Sequence, residues 1–280
     1  MADVKQATVK SQAPRAAGRP KNSNSFWVNL LIVAVCIAVG WIIYELILGD
    51  PSHFNDPETK KVPKDFWGNM FLGGFVVPFL IAMFLTMLAF VIERAITIMK
   101  AKGKINGGEF VRKVQYHLAN KNIDAALAEC DKQSGSVGNV MKSGLLKYRE
   151  MIDNTELTTD QKILSIQNEI EEATALELPM LEKNLVFLST IASAATLLGL
   201  FGTVLGMIRA FMAMAQAGAP DATALAAGIS EALYNTMTGI GTSFFAIIFY
   251  NLYTTVIDGV NYSIDESGFT LTQSFAATYR

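Results

Sequence analysis

The chain has 280 residues, 51% of them hydrophobic and 17% charged, with a formal net charge of −2 and a mean hydropathy of +0.31. Soluble domains carry about 25% charged residues. Here the shortage is concentrated: in 28–48, 72–92, 185–213 and 225–257 the charged side chains are Glu45, Arg209 and Glu231 alone. That segregation argues against a soluble globule, a disulfide scaffold and a disordered chain, and no Lys/Arg run suggests nucleic acid as a partner.

Each of the four stretches is long enough to cross about 30 Å of hydrocarbon as a helix. None alternates apolar and polar residues as barrel strands do. The fold expected is all-α: a polytopic membrane protein with four transmembrane helices and a helical cytoplasmic domain. Residues 1–27 form a basic tail with Lys5, Lys10, Arg15, Arg19 and Lys21. The first span, 28–48, carries Trp27, Trp41 and Tyr44 as interfacial anchors. It lacks a small-residue cleavage pattern and is read as a retained helix rather than a signal peptide.

Residues 49–71, with Pro51, Pro57 and Pro63, make an outer loop expected to be too polar to bury itself. The second span, 72–92, opens at Gly73-Gly74, tolerates Pro78 and ends in Glu93-Arg94. Residues 93–184 read as helical hairpins. Phe110, Val111, Val114 and Leu118 share one face, Asn122 or Asp124 starts a second helix, Ser134 to Gly138 is a break, and a third helix surrounds Val140 to Met151. A long helix from Thr159 is expected to run without interruption into the third span, 185–213, with Pro179 as a kink site. A short loop, 214–224, leads to the fourth span, 225–257, and 258–280 is a tail.

An even number of spans puts both termini on one side. That side and the 93–184 segment hold most of the Lys and Arg, whereas the outer loops hold only Lys60, Lys61 and Lys64. The positive-inside bias therefore makes the termini and 93–184 cytoplasmic and 49–71 and 214–224 periplasmic. Cys36 and Cys130 read as reduced structural residues, and with His53 and His117 far apart no metal cluster is expected. No cofactor motif, P-loop or nucleophile–base constellation supports an enzyme.

The third and fourth spans are rich in small and hydroxyl residues. Ser189, Ser193, Thr196, Thr203 and Gly206 fall on one helical stripe, and Gly202 and Gly206 form a G-x-x-x-G pair that permits close helix approach. On the fourth span Glu231, Asn235, Thr238 and Thr242 share one stripe, and Thr236, Gly239 and Ser243 another. Two such helices can pack as an antiparallel hairpin, and several hairpins could ring a central path. Any one hydroxyl also has a plain packing role open to it. Glu231, an ionisable residue inside a span, has two readings: a functional or partner-facing carboxylate, or a structural ion pair with Arg209.

At these residues the chain resembles the ExbB/TolQ/MotA proton-channel family, and most closely its ExbB branch. The resemblance is carried by Ser189 to Met207 with Gly199-Leu200-Phe201-Gly202-Thr203-Val204 at its core, by Gly228-Ile229-Ser230-Glu231-Ala232-Leu233 continuing to Thr236, by Tyr250-Asn251, and by Glu93-Arg94. It implies a homopentamer in a bacterial inner membrane, packed in lipid around the transmembrane helices of a small, single-span ExbD-like partner. Proton flow through that assembly would drive outer-membrane transport through a TonB-like protein. It makes Thr203 and Thr236 channel-lining hydroxyls and Glu231 the family's intramembrane glutamate. Thr196, Ser193 and Ser243 are further candidate pore-lining residues, and Gly199, Gly202, Gly206 and Gly239 candidate packing residues. The principal proton-carrying aspartate would belong to the partner, in keeping with the absence of Asp from all four apolar stretches. The family usually has three spans, so 28–48 is an addition, a peripheral brace or a docking site. Rival readings are a TolQ-like subunit for envelope integrity, a motor stator, and a non-conducting membrane scaffold.

Overall fold

A computed structural model describes residues 23–56, 62–216 and 222–279. Among them the structure is helical: α1 (Ser23–Ile43), α2 (Phe66–Phe71), α3 (Val76–Lys102), α4 (Gly107–Ala119), α5 (Ile123–Gln133), α6 (Gly135–Asp153), α7 (Thr159–Glu182), α8 (Leu185–Gln216) and α9 (Ala222–Thr278). The four helices long and apolar enough to cross a membrane overlap the four predicted stretches, but the second starts at Val76, with Gly73 and Gly74 in the turn before it rather than opening the span. The basic tail before Ser23, the Gly218-Ala219-Pro220-Asp221 loop and Lys60-Lys61 lie outside the described residues.

In α1, Asn29, Val33, Cys36 and Gly40 are all turned from the surface, at spacings of four, three and four, one face of a helix. That face packs on α3. A side chain at Gly40 would meet the Pro78 carbonyl at 2.7 Å, so glycine is what lets the two backbones approach. Beyond Ile43 the helix widens into a π-turn, Tyr44–Leu48. Tyr44 stacks on Phe71 at 4.7 Å between ring centres and donates its hydroxyl to the Phe71 carbonyl at 3.0 Å.

The outer loop is more built than its polarity suggests. Phe54 is buried against Phe71, and Phe54 pairs with Pro63 in an isolated bridge. Asp65 caps α2 by accepting from the Gly68 amide at 2.9 Å and lies 2.6 Å from His53 Nδ1. The Gly68 amide and the His53 ring hold the Asp65 carboxyl below the usual carboxylate range. Two aromatic rings and one well-placed carboxylate organise a segment whose average polarity predicts none of this.

The hairpins of 93–184 pack around one apolar core. Phe110, Val111, Val114 and Leu118 of α4 are all buried in it, with Cys130, Tyr148 and Ile166 from the next three helices. Asn122 caps α5 by accepting from Ala125 N, and Thr158 and Gln161 form a capping box on α7. Burial pushes the Cys130 thiol up to about 12, as an unreactive structural cysteine requires.

Three expectations need correction. The break after α5 is tighter than Ser134 to Gly138: Ser134 at φ 57° and Gly135 at φ 73° make it, and α6 starts at Gly135. The helix from Thr159 does not run uninterrupted into the membrane. It stops at Glu182, and Asn184 at φ 66° separates it from α8. Asn is among the few non-glycine residues that enter the left-handed region readily. The helix that carries the last span does not end near Ile257. α9 continues to Thr278, and Val260, Ile264, Leu271 and Phe275 are buried in the same core as α4 to α7. Residues 258–278, expected as a tail, are therefore part of that helical domain.

Candidate functional site

The α8–α9 hairpin is built on small residues. Along α8, Ala195, Gly199, Gly202, Gly206 and Ala210 are buried at spacings of four, three, four and four, and this seam faces α9. A side chain at Gly199 would meet Gly239 Cα at 3.1 Å. One at Gly239 would meet the Ala195 carbonyl at 2.6 Å, and one at Gly206 the Ala232 amide at 3.0 Å. Gly202 leaves room for the Asn235 side chain, at 2.7 Å from where its own Cβ would stand. With no hydrophobic drive between helices in lipid, close backbone contact of this kind supplies the association.

At the edge of the seam Thr203 and Thr236 are hydrogen-bonded to each other through their hydroxyls. Thr203 Oγ1 also lies 3.1 Å from the Gly199 carbonyl and 3.2 Å from that of Ala232, and Thr236 Oγ1 lies 3.5 Å from Gly199 O. Both residues are half-buried. Each hydroxyl donates once and can accept twice.

Nearer the loop end of the hairpin Arg209 Nη1 donates to Glu231 Oε1 at 2.7 Å. The Glu231 side chain is 13% exposed and that of Arg209 49%. Both readings of Glu231 survive this geometry: the carboxylate is paired, and the pair is open on the arginine side. The pair also clamps the start of α3. Gly74, at φ 73°, approaches so closely that a side chain there would lie 2.7 Å from Arg209 Nη1 and 3.1 Å from Glu231 Oε1. Beside it Asn235, 1% exposed, donates Nδ2 to the Gly73 carbonyl at 3.0 Å, while its Oδ1 has no protein partner.

The remaining predicted residues divide. Ser243 is buried in the seam and donates to the Ala192 carbonyl at 2.5 Å. Ser193 and Thr196 are exposed, turned away from α9, and do not join the Thr203–Thr236 pair. The predicted hydroxyl stripe of α8 thus flanks the seam rather than filling it, with Thr203 at its border. Asn235 was visible as a polar residue on the Glu231 stripe, but nothing in the sequence ties it to Gly73. Gly228, whose side-chain position is taken by Ala210 Cβ at 2.5 Å, extends the close approach; the sequence marks it only as part of the Gly228 to Leu233 motif, not as a packing residue.

The sequence pattern of the MotA/TolQ/ExbB proton channel family matches residues 133–266, a segment that contains α8 and α9 as far as Glu266. This segment, just under half of the chain, is similar to that family. Among similar proteins are a biopolymer transport protein ExbB from Pseudomonas putida, 26% identical over 175 residues, 61% of this chain and 52% of that protein. A Tol-Pal system protein TolQ from Pseudomonas aeruginosa is 30% identical over 121 residues, 43% and 52% of the two chains. A TolQ from Haemophilus influenzae is 41% identical over 75 residues, 27% and 33%. The chain thus spans between 33% and 52% of the length of these relatives.

Proposed function

We propose that this chain is the channel subunit of a proton-driven motor in a bacterial inner membrane. Its termini and the core of α4 to α7 lie in the cytoplasm, as the distribution of Lys and Arg supports. Subunits assemble, as a pentamer in the family's manner, around the membrane helices of a single-span ExbD-like partner, and the work is passed to a TonB-like protein for transport across the outer membrane. The similarity to TolQ proteins supports a second assignment within the same mechanism, a Tol-type system for envelope integrity.

The observation that carries the reading is the hydroxyl pair of Thr203 and Thr236 at the open edge of the hairpin. Two adjoining hydroxyls that donate and accept can pass a hydrogen bond between water and a partner carboxylate. Ser193 and Thr196 extend the polar lining toward the cytoplasm. Glu231, held by Arg209, places a carboxylate near the outer mouth. Each proton crossing yields about 2.3 kcal/mol per 100 mV, and protonation of the partner carboxylate alternately neutralises and restores its charge. The partner helices then change position against the ring.

Proton influx into vesicles holding the complex of this chain and its co-purified partner tests the reading. Thr203→Val or Thr236→Val is expected to lower influx about tenfold or more, the scale of losing one charge-assisted hydrogen bond in the rate-setting step. Unchanged influx in both variants would remove the hydroxyls from the pathway. Influx from the wild-type chain no faster than from empty vesicles would favour a scaffold.

A further inference from the structure

The added helix α1 has no place in the hairpin, yet one of its polar side chains reaches the start of α8. Asn29 is the half-buried position among the exposed residues Phe26 to Leu31. Its Nδ2 donates to Asn184 Oδ1 at 2.8 Å. Asn184 is the left-handed residue that separates α7 from α8, and its Nδ2 donates to Glu93 Oε2 at 3.3 Å. Glu93 in turn receives Arg94, through Nε at 2.6 Å and Nη2 at 2.5 Å. Arg94, 2% exposed, spends its remaining nitrogen on the Leu181 carbonyl at 3.2 Å, in the last turn of α7. A guanidinium is favoured at a helix C-terminus, where carbonyls lack intrahelical partners.

The chain of donors and acceptors therefore runs from α1 through the joint to α3 and α7. A network at the membrane rim that loses one member leaves a polar group unpaired in a poorly hydrated place, so its members are held more firmly than isolated surface pairs. We propose that α1 is a tether: Asn29 acts as a positioning residue that holds the α7–α8 joint through Asn184, fixing the pore helix α8 relative to the cytoplasmic helices. The proposal rests on the channel reading only for its link to proton flow; the joint itself is a matter of geometry.

Hydrogen exchange read by mass spectrometry on the full chain in lipid nanodiscs tests it, in peptides covering 179–190. Asn29→Leu keeps the bulk and the apolar packing and removes the tether. Exchange at the joint should quicken about three- to twentyfold, the range of one ordinary intramembrane hydrogen bond, with peptides from α4 to α6 unchanged. Asn184→Gly keeps the left-handed backbone and loses the amide, and should match it. Leu30→Ala, on the lipid-facing side of the same turn, should leave the joint as in the wild type. Joint exchange unchanged in Asn29→Leu, or quickened equally by Leu30→Ala, overturns the proposal. In proton-influx assays of the same complexes Asn29→Leu should shift the rate. A wild-type complex that carries no protons would instead defeat the channel reading and leave the exchange result standing.

Discussion

Gly239→Leu is expected to abolish the α8–α9 hairpin as a packed unit, with loss of the assembled complex in mild detergent. The new side chain would start 2.6 Å from the Ala195 carbonyl and 2.8 Å from Gly199 Cα. Both obstacles are backbone, so no rotamer change relieves them and the helices must separate. Overpacking in soluble cores costs about 1–3 kcal/mol, and with a whole helix forced outward the upper end or beyond is expected here. Gly241, farther along the same helix, has nothing within 4 Å of its would-be side chain. Gly241→Leu should therefore leave assembly intact and, by removing a glycine from a helix interior, raise the thermal midpoint slightly. Opposite signs at these two neighbouring glycines, read by the mass of the assembly and its thermal midpoint, isolate packing from helix propensity. Equal effects would mean that the seam is not the determinant.

Breaking the Arg209–Glu231 pair should be asymmetric. Arg209→Ala leaves a carboxylate that is 13% exposed without its partner, whereas Glu231→Gln leaves a guanidinium that is 49% exposed and can turn to water or headgroups. Removing one partner of a fully buried pair costs about 3–5 kcal/mol. With one side half in the open, about 1–2 kcal/mol is the discounted expectation for Arg209→Ala, and less for Glu231→Gln. Because Gly74 rests against both side chains, the loss should also loosen the start of α3. The double variant should recover much of the deficit of Arg209→Ala, since no charge is then left alone. Thermal midpoints of the four proteins in one lipid give the coupling. Strict additivity would show that the two residues do not act as a pair, and would return Glu231 to a partner-facing role.

The spans were legible because a helix-length run that excludes charge is what the hydrocarbon of a bilayer demands. The seam was legible because glycines at helical spacing in lipid serve close approach of backbones. Gly199, Gly202, Gly206 and Gly239 are all found there. Helix ends were harder. Asn184 carries no signal as strong as Gly or Pro, and what makes it a break is its φ of 66° inside a network with Asn29 and Glu93. The run of α9 to Thr278 was hidden because its part beyond Ile257 is polar outside and apolar within, so the loss of hydropathy there resembles an ending. The outer loop misled for the converse reason: its order depends on Phe54, Phe71 and Asp65, three residues that an average of polarity does not see. Of the hydroxyls, periodicity put Thr203 and Thr236 each on a stripe of its own helix without pairing them, and could not tell the seam, where Ser243 lies, from its exposed flank, where Ser193 and Thr196 lie.

The proposed channel requires that this exposed flank enclose a second polypeptide. A photoreactive phenylalanine analogue placed at Ser193, at Thr196 and, for contrast, at Leu31 on the outward face of α1 (63% exposed) probes that enclosure in membranes of cells making the complete complex. Ser193 and Thr196 should give adducts with one small single-span protein, and Leu31 adducts with lipid alone. Lipid adducts alone from Ser193 and Thr196 would contradict the enclosure, and with it the channel.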